Sequence, residues 1–278
     1  MIRRTFEWIS RHRKLNALLV FAYAFFLVFA HDVFVNLSID IMNSLSLTVY
    51  NQVVAFVIAL SAITLAGISV VVYRNGPDLK SLAYFLGTLL LLVTHFFVLT
   101  EMNIEFIHAI MYGAFAVLIF PLVGRYGGAV VLGLPLMLVD EWYQHVILYP
   151  DSTDFYELND IVLDLLGAGL FISLIQLLGV HAKKASTPLI QRTELWVLLV
   201  LVVAVIGAIT SCFITPYVED ACSNTWLVLN KLPEMNEFWY VHPRIGSTLH
   251  VLKPIEGLLL QLLLVLGYLT MDWSRTDR

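Results

Sequence analysis

Three short stretches of this sequence hold the residues best suited to chemistry. The first is Glu101, Glu105, His108 and Tyr112, spaced by four, three and four residues, which on a helix makes a single stripe. The second is Asp140-Glu141-Trp142-Tyr143-Gln144-His145; on a helix Asp140 and Gln144 share a face, and Glu141 neighbours Gln144 and His145. The third is Glu157, Asn159, Asp160 and Asp164, where 157, 160 and 164 again fall on one face. Carboxylates, an imidazole and an amide at such spacing suit general acid and base work on a polar substrate. Two carboxylates flanking a scissile bond are enough for glycosidic chemistry. The same acids would equally recognise a cation or a proton-coupled solute.

The elements that must position these residues are set by hydropathy. The 278 residues are 59% hydrophobic and only 13% charged, with a mean hydropathy of +0.83, whereas a soluble domain carries about 25% charged residues. Apolar runs near 15–35, 48–73, 82–100, 103–123, 128–147, 158–180, 195–214 and 255–271 each approach the roughly 20 residues that a bilayer core demands of a helix. Such continuous runs exclude the alternating strands of a barrel. The expected fold class is therefore all-α, a polytopic transmembrane helical bundle of about eight spans. Basic residues gather in the head (Arg3 to Lys14), in alternate connections (Arg74 and Lys80; Arg125; Lys183, Lys184 and Arg192) and in the tail (Arg275, Arg278). The intervening connections are acid-rich, with Asp40, Glu101, Glu105, Asp151, Asp154, Glu157, Glu219 and Asp220. The positive-inside rule then places both termini in the cytoplasm.

In that frame spans four and six begin, and span five ends, on the outer side, so the three polar stripes meet at one depth. Ionisable groups at membrane depth are costly and generally face the bundle interior or a watery cavity. Span starts are positive helix ends, which suit a standing carboxylate such as Asp160. The end of span five is a negative one, which suits Glu141 or Asp140 as proton donor.

The chain divides into a basic head (1–14), spans one to three (15–100), a core of spans four to six (101–180), a loop with span seven (181–214), an outer cap (215–254) and span eight with its tail (255–278). The cap is rich in aromatics and prolines, among them Pro216, Trp226, Pro233, Trp239, Tyr240 and Pro243, and is read as a lid or re-entrant hairpin. Cys222 lies in it and Cys212 at the end of span seven; an oxidising exterior would let them pair, and two separate thiols are the alternative. In the head, Ile2, Phe6 and Ile9 at helical spacing among basic residues would allow it to lie on an anionic leaflet, although a simple basic stop before span one explains the same residues. The net charge of −5 and the absence of a basic face give no footprint for nucleic acid.

Residues 83–180 resemble the VanZ-like membrane proteins. His108 is followed four residues later by Tyr112; Glu141-x-x-Gln144 ends the next span; Pro150 sits in the short loop; and Asp160-Ile161-Val162-Leu163-Asp164-Leu165-Leu166-Gly167 opens the following span. The family usually has Asn where Asp164 stands, and an Arg commonly follows the loop Pro, where this chain reads Pro150-Asp151-Ser152-Thr153. A carboxylate gained and a cation lost make the site more acidic, favouring a cation, a metal or a sugar hydroxyl over a phosphate. The resemblance implies a place in bacterial envelope biology and, as for the family's namesake, glycopeptide resistance of the teicoplanin type.

These readings converge on an outward-facing pocket with Glu141, Asp160 and Asp164 as catalytic groups and His108, Tyr112, Asp140, Gln144 and Glu105 as substrate-binding groups. It would bind, and hydrolyse, the head group of a lipid-linked or glycosylated envelope molecule in a bacterial cytoplasmic membrane. The alternatives are a non-enzymatic binding or proton- or cation-coupled transport protein, and a polar network that merely locks helix packing. Glu101 and His95 are expected at the interface rather than in the site. No cofactor is expected; a divalent metal on His242 and His250 with Glu219 or Asp160 is the lesser alternative. The expected partners are membrane lipids and an envelope lipid or glycan head group.

Overall fold

A computed structural model describes residues 2–74, 79–100, 103–150, 154–182, 189–232, 237–241 and 248–272. In chain order the helices are α1 (Ile2–Arg11), α2 (Arg13–Phe29), α3 (His31–Leu45), α4 (Leu47–Arg74), α5 (Leu79–Val98), α6 (Ile107–Val123), α7 (Tyr126–Tyr143), α8 (Leu158–Leu177), α9 (Thr193–Thr210) and α10 (Pro254–Leu269). Four short strands join them: β1 (Ile214–Tyr217), β2 (Leu227–Asn230), β3 (Tyr240–Val241) and β4 (Thr248–Leu249).

Five helices are long and apolar enough to cross a membrane, or six if the bent pair α1 and α2, which meet at 97°, is counted as one span. This suits a multi-pass membrane protein. Helix α6 is shorter, and a one-turn 3-10 helix, Asn103–Phe106, leads into it. The surfaces of α4 and α9 are almost wholly apolar and exposed; Ile63 is 70% and Val200 63% accessible, as expected of side chains that meet lipid.

Two expectations need correction. The first apolar run does not form one helix over 15–35: α2 stops at Phe29 and α3 starts at His31, with Ala30 between them. The supposed loop carrying Asp40 is helical, because side chains such as Ser44, which returns a 2.8 Å bond to the Asp40 carbonyl, are compatible with a helix that hydropathy does not detect. The chain is mostly helical, as expected. The bundle is helical, but the cap contains β1 paired in parallel with β2 and β3 paired antiparallel with β4.

Helix α8 is the axis of the bundle. It is buried on nearly every face and packs against α5, α6, α7 and α10. Two glycines make that possible. A Cβ on Gly167 would collide with the Ala109 backbone of α6, and one on Gly169 with the Tyr268 ring of α10. Small residues at these contacts let backbones approach, the usual basis of helix association in lipid.

The end of the bundle opposite the cap is tied by polar contacts at helix termini. Asp272 accepts hydrogen bonds from the backbone N–H of Tyr126 (2.8 Å) and Gly128 (3.3 Å) at the start of α7, where free N–H groups attract an anion. Arg125 forms a two-pronged ion pair with the fully buried Glu194 of α9. Lys80 donates to the Thr270 carbonyl at the end of α10 at 2.8 Å.

Candidate functional site

Helices α6, α7 and α8 bring their polar stripes together at the cap end. His108 stands on the first turn of α6 with one ring nitrogen on each of two α8 carboxylates: Nδ1 lies 3.2 Å from Asp164 Oδ1, and Nε2 lies 3.9 Å from Asp160 Oδ2. One turn further along α6, Tyr112 donates to Asp140 Oδ2 of α7 at 2.8 Å. Gln144 Nε2 donates to Glu141 Oε1 at 3.2 Å. One ligand-capable atom each from His108, Glu141 and Asp164 lie within 4.8 Å of one another.

Seven of the eight predicted site residues thus belong to one cluster, and all seven are buried: His108, Tyr112, Asp140, Glu141, Gln144, Asp160 and Asp164. Glu105 differs. It sits on the 3-10 turn before α6 and is only half-buried, so it begins the stripe without reaching the buried depth. Glu101 lies outside the described residues, as do Asp151 and His242. His250 pairs with Glu256 at 3.2 Å and with the Phe238 carbonyl at 2.7 Å. Glu219 is exposed on a 3-10 turn, so the cap pairing of His250 with Glu219 does not form.

Local structure at the end of α7 sharpens the site. Gln144–Leu148 form a π-turn, closed by the Tyr149 N–H on the Gln144 carbonyl at 2.8 Å. Such widened turns recur at functional sites because they redirect side chains that a regular helix would carry away. Here the turn keeps Gln144 beside Glu141 while the chain leaves the bundle.

Charge balance is the site's main physical problem. Asp140, Glu141, Asp160 and Asp164 surround one protonatable imidazole. Two like charges about 4 Å apart repel by roughly 4 kcal/mol even at an effective dielectric of 20. Four bare carboxylates cannot share this volume; protons or a bound cation must neutralise them. Three of their oxygens, Asp140 Oδ1, Glu141 Oε2 and Asp164 Oδ2, are buried without a hydrogen-bond partner among the described residues.

No protein-family model, curated protein or solved structure matches this chain.

Three further buried polar groups lie around the cluster: His31, which sequence reasoning missed, His95, which it misplaced, and Asn159, which it set in the third stretch. His31, at the start of α3, is buried with its ring 5.4 Å from that of His108; its only sequence signal was that His31-Asp32 interrupts an apolar run. His95 is not interfacial as expected but buried, its Nε2 2.9 Å from the Asn159 carbonyl. Asn159 ties the cap to α8: its Nδ2 donates to the Leu99 and His250 carbonyls at 2.7 and 2.9 Å, and its Oδ1 accepts from Leu252 N–H at 3.0 Å.

The cap closes over this end. Trp226 stacks between Phe213 (5.3 Å between ring centroids) and Trp142 (5.9 Å), the residue next to Glu141. Cys212 and Cys222 form a disulfide. Lys231 reaches the Pro150 carbonyl at 2.6 Å, bringing a cation from the cap to the loop that lacks an Arg of its own.

Proposed function

We propose that this chain is a VanZ-like envelope protein of a bacterial cytoplasmic membrane. On this reading it crosses the membrane eight times with both termini inside, and its carboxylate–imidazole cluster, under an outward cap, binds and hydrolyses the head group of a lipid-linked or glycosylated envelope molecule. The supporting observation is convergence. His108, Tyr112, Glu141, Gln144, Asp160 and Asp164, the residues that carry the family resemblance, come from three helices into one buried cluster. Gly167 of the same motif lies against the α6 backbone one residue beyond His108.

Glycosidic chemistry needs two carboxyl groups close enough to flank one bond. One oxygen of Glu141 and one of Asp164 lie within 4.8 Å of each other.

The competing reading is a proton- or cation-coupled carrier, favoured by the excess of acids over bases. Against it stands the stretch of α8 below the site. From Asp164 to the next buried polar residue, Ser173, the chain reads Leu, Leu, Gly, Ala, Gly, Leu, Phe, Ile. Nine residues of helix rise about 13 Å, a depth at which α8 offers no polar side chain to a moving ion.

The deciding experiment is complementation of a deletion strain with Glu141→Gln and Asp160→Asn, with membrane insertion checked in parallel. Both variants are expected to insert normally and to lose at least tenfold in the complemented phenotype. Full complementation by both would leave the cluster as a packing network and overturn the proposal.

A further inference from the structure

The neutralisation that the cluster requires can come from shared protons or from a cation, and the positions of its ligand atoms separate the two. Zinc-type ions bind imidazole nitrogen and carboxylate oxygen at about 2.0–2.2 Å. Two such ligands on one ion stand at most about 4.2 Å apart, and a separation of 3.2 Å corresponds to an angle near 100°, close to tetrahedral. His108 Nδ1 and Asp164 Oδ1 are 3.2 Å apart, and one ligand atom each of His108, Glu141 and Asp164 lie within 4.8 Å of one another. A shift of well under an ångström brings all three within range of one ion.

The surroundings agree. Asp164 is fully buried and Glu141 is 1% accessible, yet Asp164 Oδ2 and Glu141 Oε2 have no hydrogen-bond partner among the described residues. An unpartnered carboxylate oxygen at that depth is expensive unless something positive faces it. Metal-binding histidines usually present their second nitrogen to a carboxylate, and His108 presents Nε2 to Asp160 Oδ2 at 3.9 Å. Gln144 steadies Glu141 through the 3.2 Å bond to Oε1.

We propose that His108, Glu141 and Asp164 bind a single divalent first-row transition-metal ion, of the zinc, manganese or cobalt class. The imidazole selects against magnesium and calcium, and the lack of a thiolate against copper(I). Two carboxylates and a neutral imidazole balance a doubly charged ion, and shared protons then have to neutralise only Asp140 and Asp160. The inference rests on the cluster being a functional site and changes one assignment within it, with Glu141 serving as a ligand in place of a proton donor.

The test uses the full chain, purified in detergent, stripped with a chelator, loaded separately with Zn2+, Mn2+ or Co2+, and desalted. About one equivalent of at least one of these ions is expected to remain, and His108→Ala and Glu141→Gln are expected to lower retention at least tenfold. His250→Ala, which removes the cap's own His–Glu pair, is expected to retain metal as wild type does. A readout that needs no variant is pulsed EPR of the Mn2+-loaded protein, which should show coupling to one imidazole nitrogen. Retention below a tenth of an equivalent for all three ions, or retained metal without imidazole coupling, overturns the inference. If no metal binds while Glu141→Gln and Asp160→Asn still fail to complement, the metal proposal falls and the hydrolase reading stands. If metal binds with imidazole coupling and both variants complement fully, the hydrolase reading falls and the ion is a structural one that the phenotype does not need.

Discussion

Tyr112 illustrates how much the cluster depends on single atoms. Its hydroxyl provides the hydrogen bond to Asp140 Oδ2, while Asp140 Oδ1 has no partner among the described residues. Tyr112→Phe keeps the ring and removes that donor, so Asp140 loses its contact with α6. A hydrogen bond to a charged group contributes about 1.5–3 kcal/mol. Tyr112→Phe is expected to lower unfolding stability in mixed micelles by that amount, and a variant as stable as wild type would show that the bond holds nothing in place. The residues of this cluster were largely legible beforehand, because four-residue spacing within a helix fixes a shared face whatever surrounds it. His31 was not legible. Its ring meets that of His108, 77 positions later in the chain, and no local pattern in α3 carries that information.

At the scale of elements, the α6–α8 contact decides whether the two His108 carboxylates arrive at all. Gly167 lies against the Ala109 backbone, leaving no space for a Cβ, whereas Gly207 on α9 has nothing within 4 Å. Gly167→Val is therefore expected to abolish monodisperse folded protein on size exclusion, and Gly207→Ala to leave the profile unchanged. Equal behaviour of the two would mean that the helices do not approach as described. Hydropathy found the long helices, since a continuous apolar stretch has few other ways to satisfy its backbone in lipid. It missed α3 as a separate helix, running its first turn into the first span (15–35) and reading the rest, with Asp40, as a connection, and it did not foresee the π-turn after Tyr143.

At the scale of the molecule, the disulfide sets how firmly the cap itself is held. The Cys212–Cys222 bridge closes a ten-residue segment, and a crosslink of that span stabilises by about 2–3 kcal/mol through the unfolded chain. Replacing both cysteines with serine is expected to raise amide exchange across 212–232 while leaving α8 protected; a loss of protection in α8 as well would mean that the cap and bundle unfold together. The cap's outline was readable from its aromatics and prolines, but its strands were not: pairs as short as Tyr240–Val241 with Thr248–Leu249 carry too little pattern to distinguish them from loop.

The Asp272 contact at the start of α7 sets an order of events. The helix that carries Asp140 and Glu141 takes its N-terminal anchor from a residue 146 positions later in the chain. During synthesis, then, all the acids of the cluster are made well before the residue that anchors the start of α7. A nascent chain thus carries the whole constellation before one of its walls has that anchor.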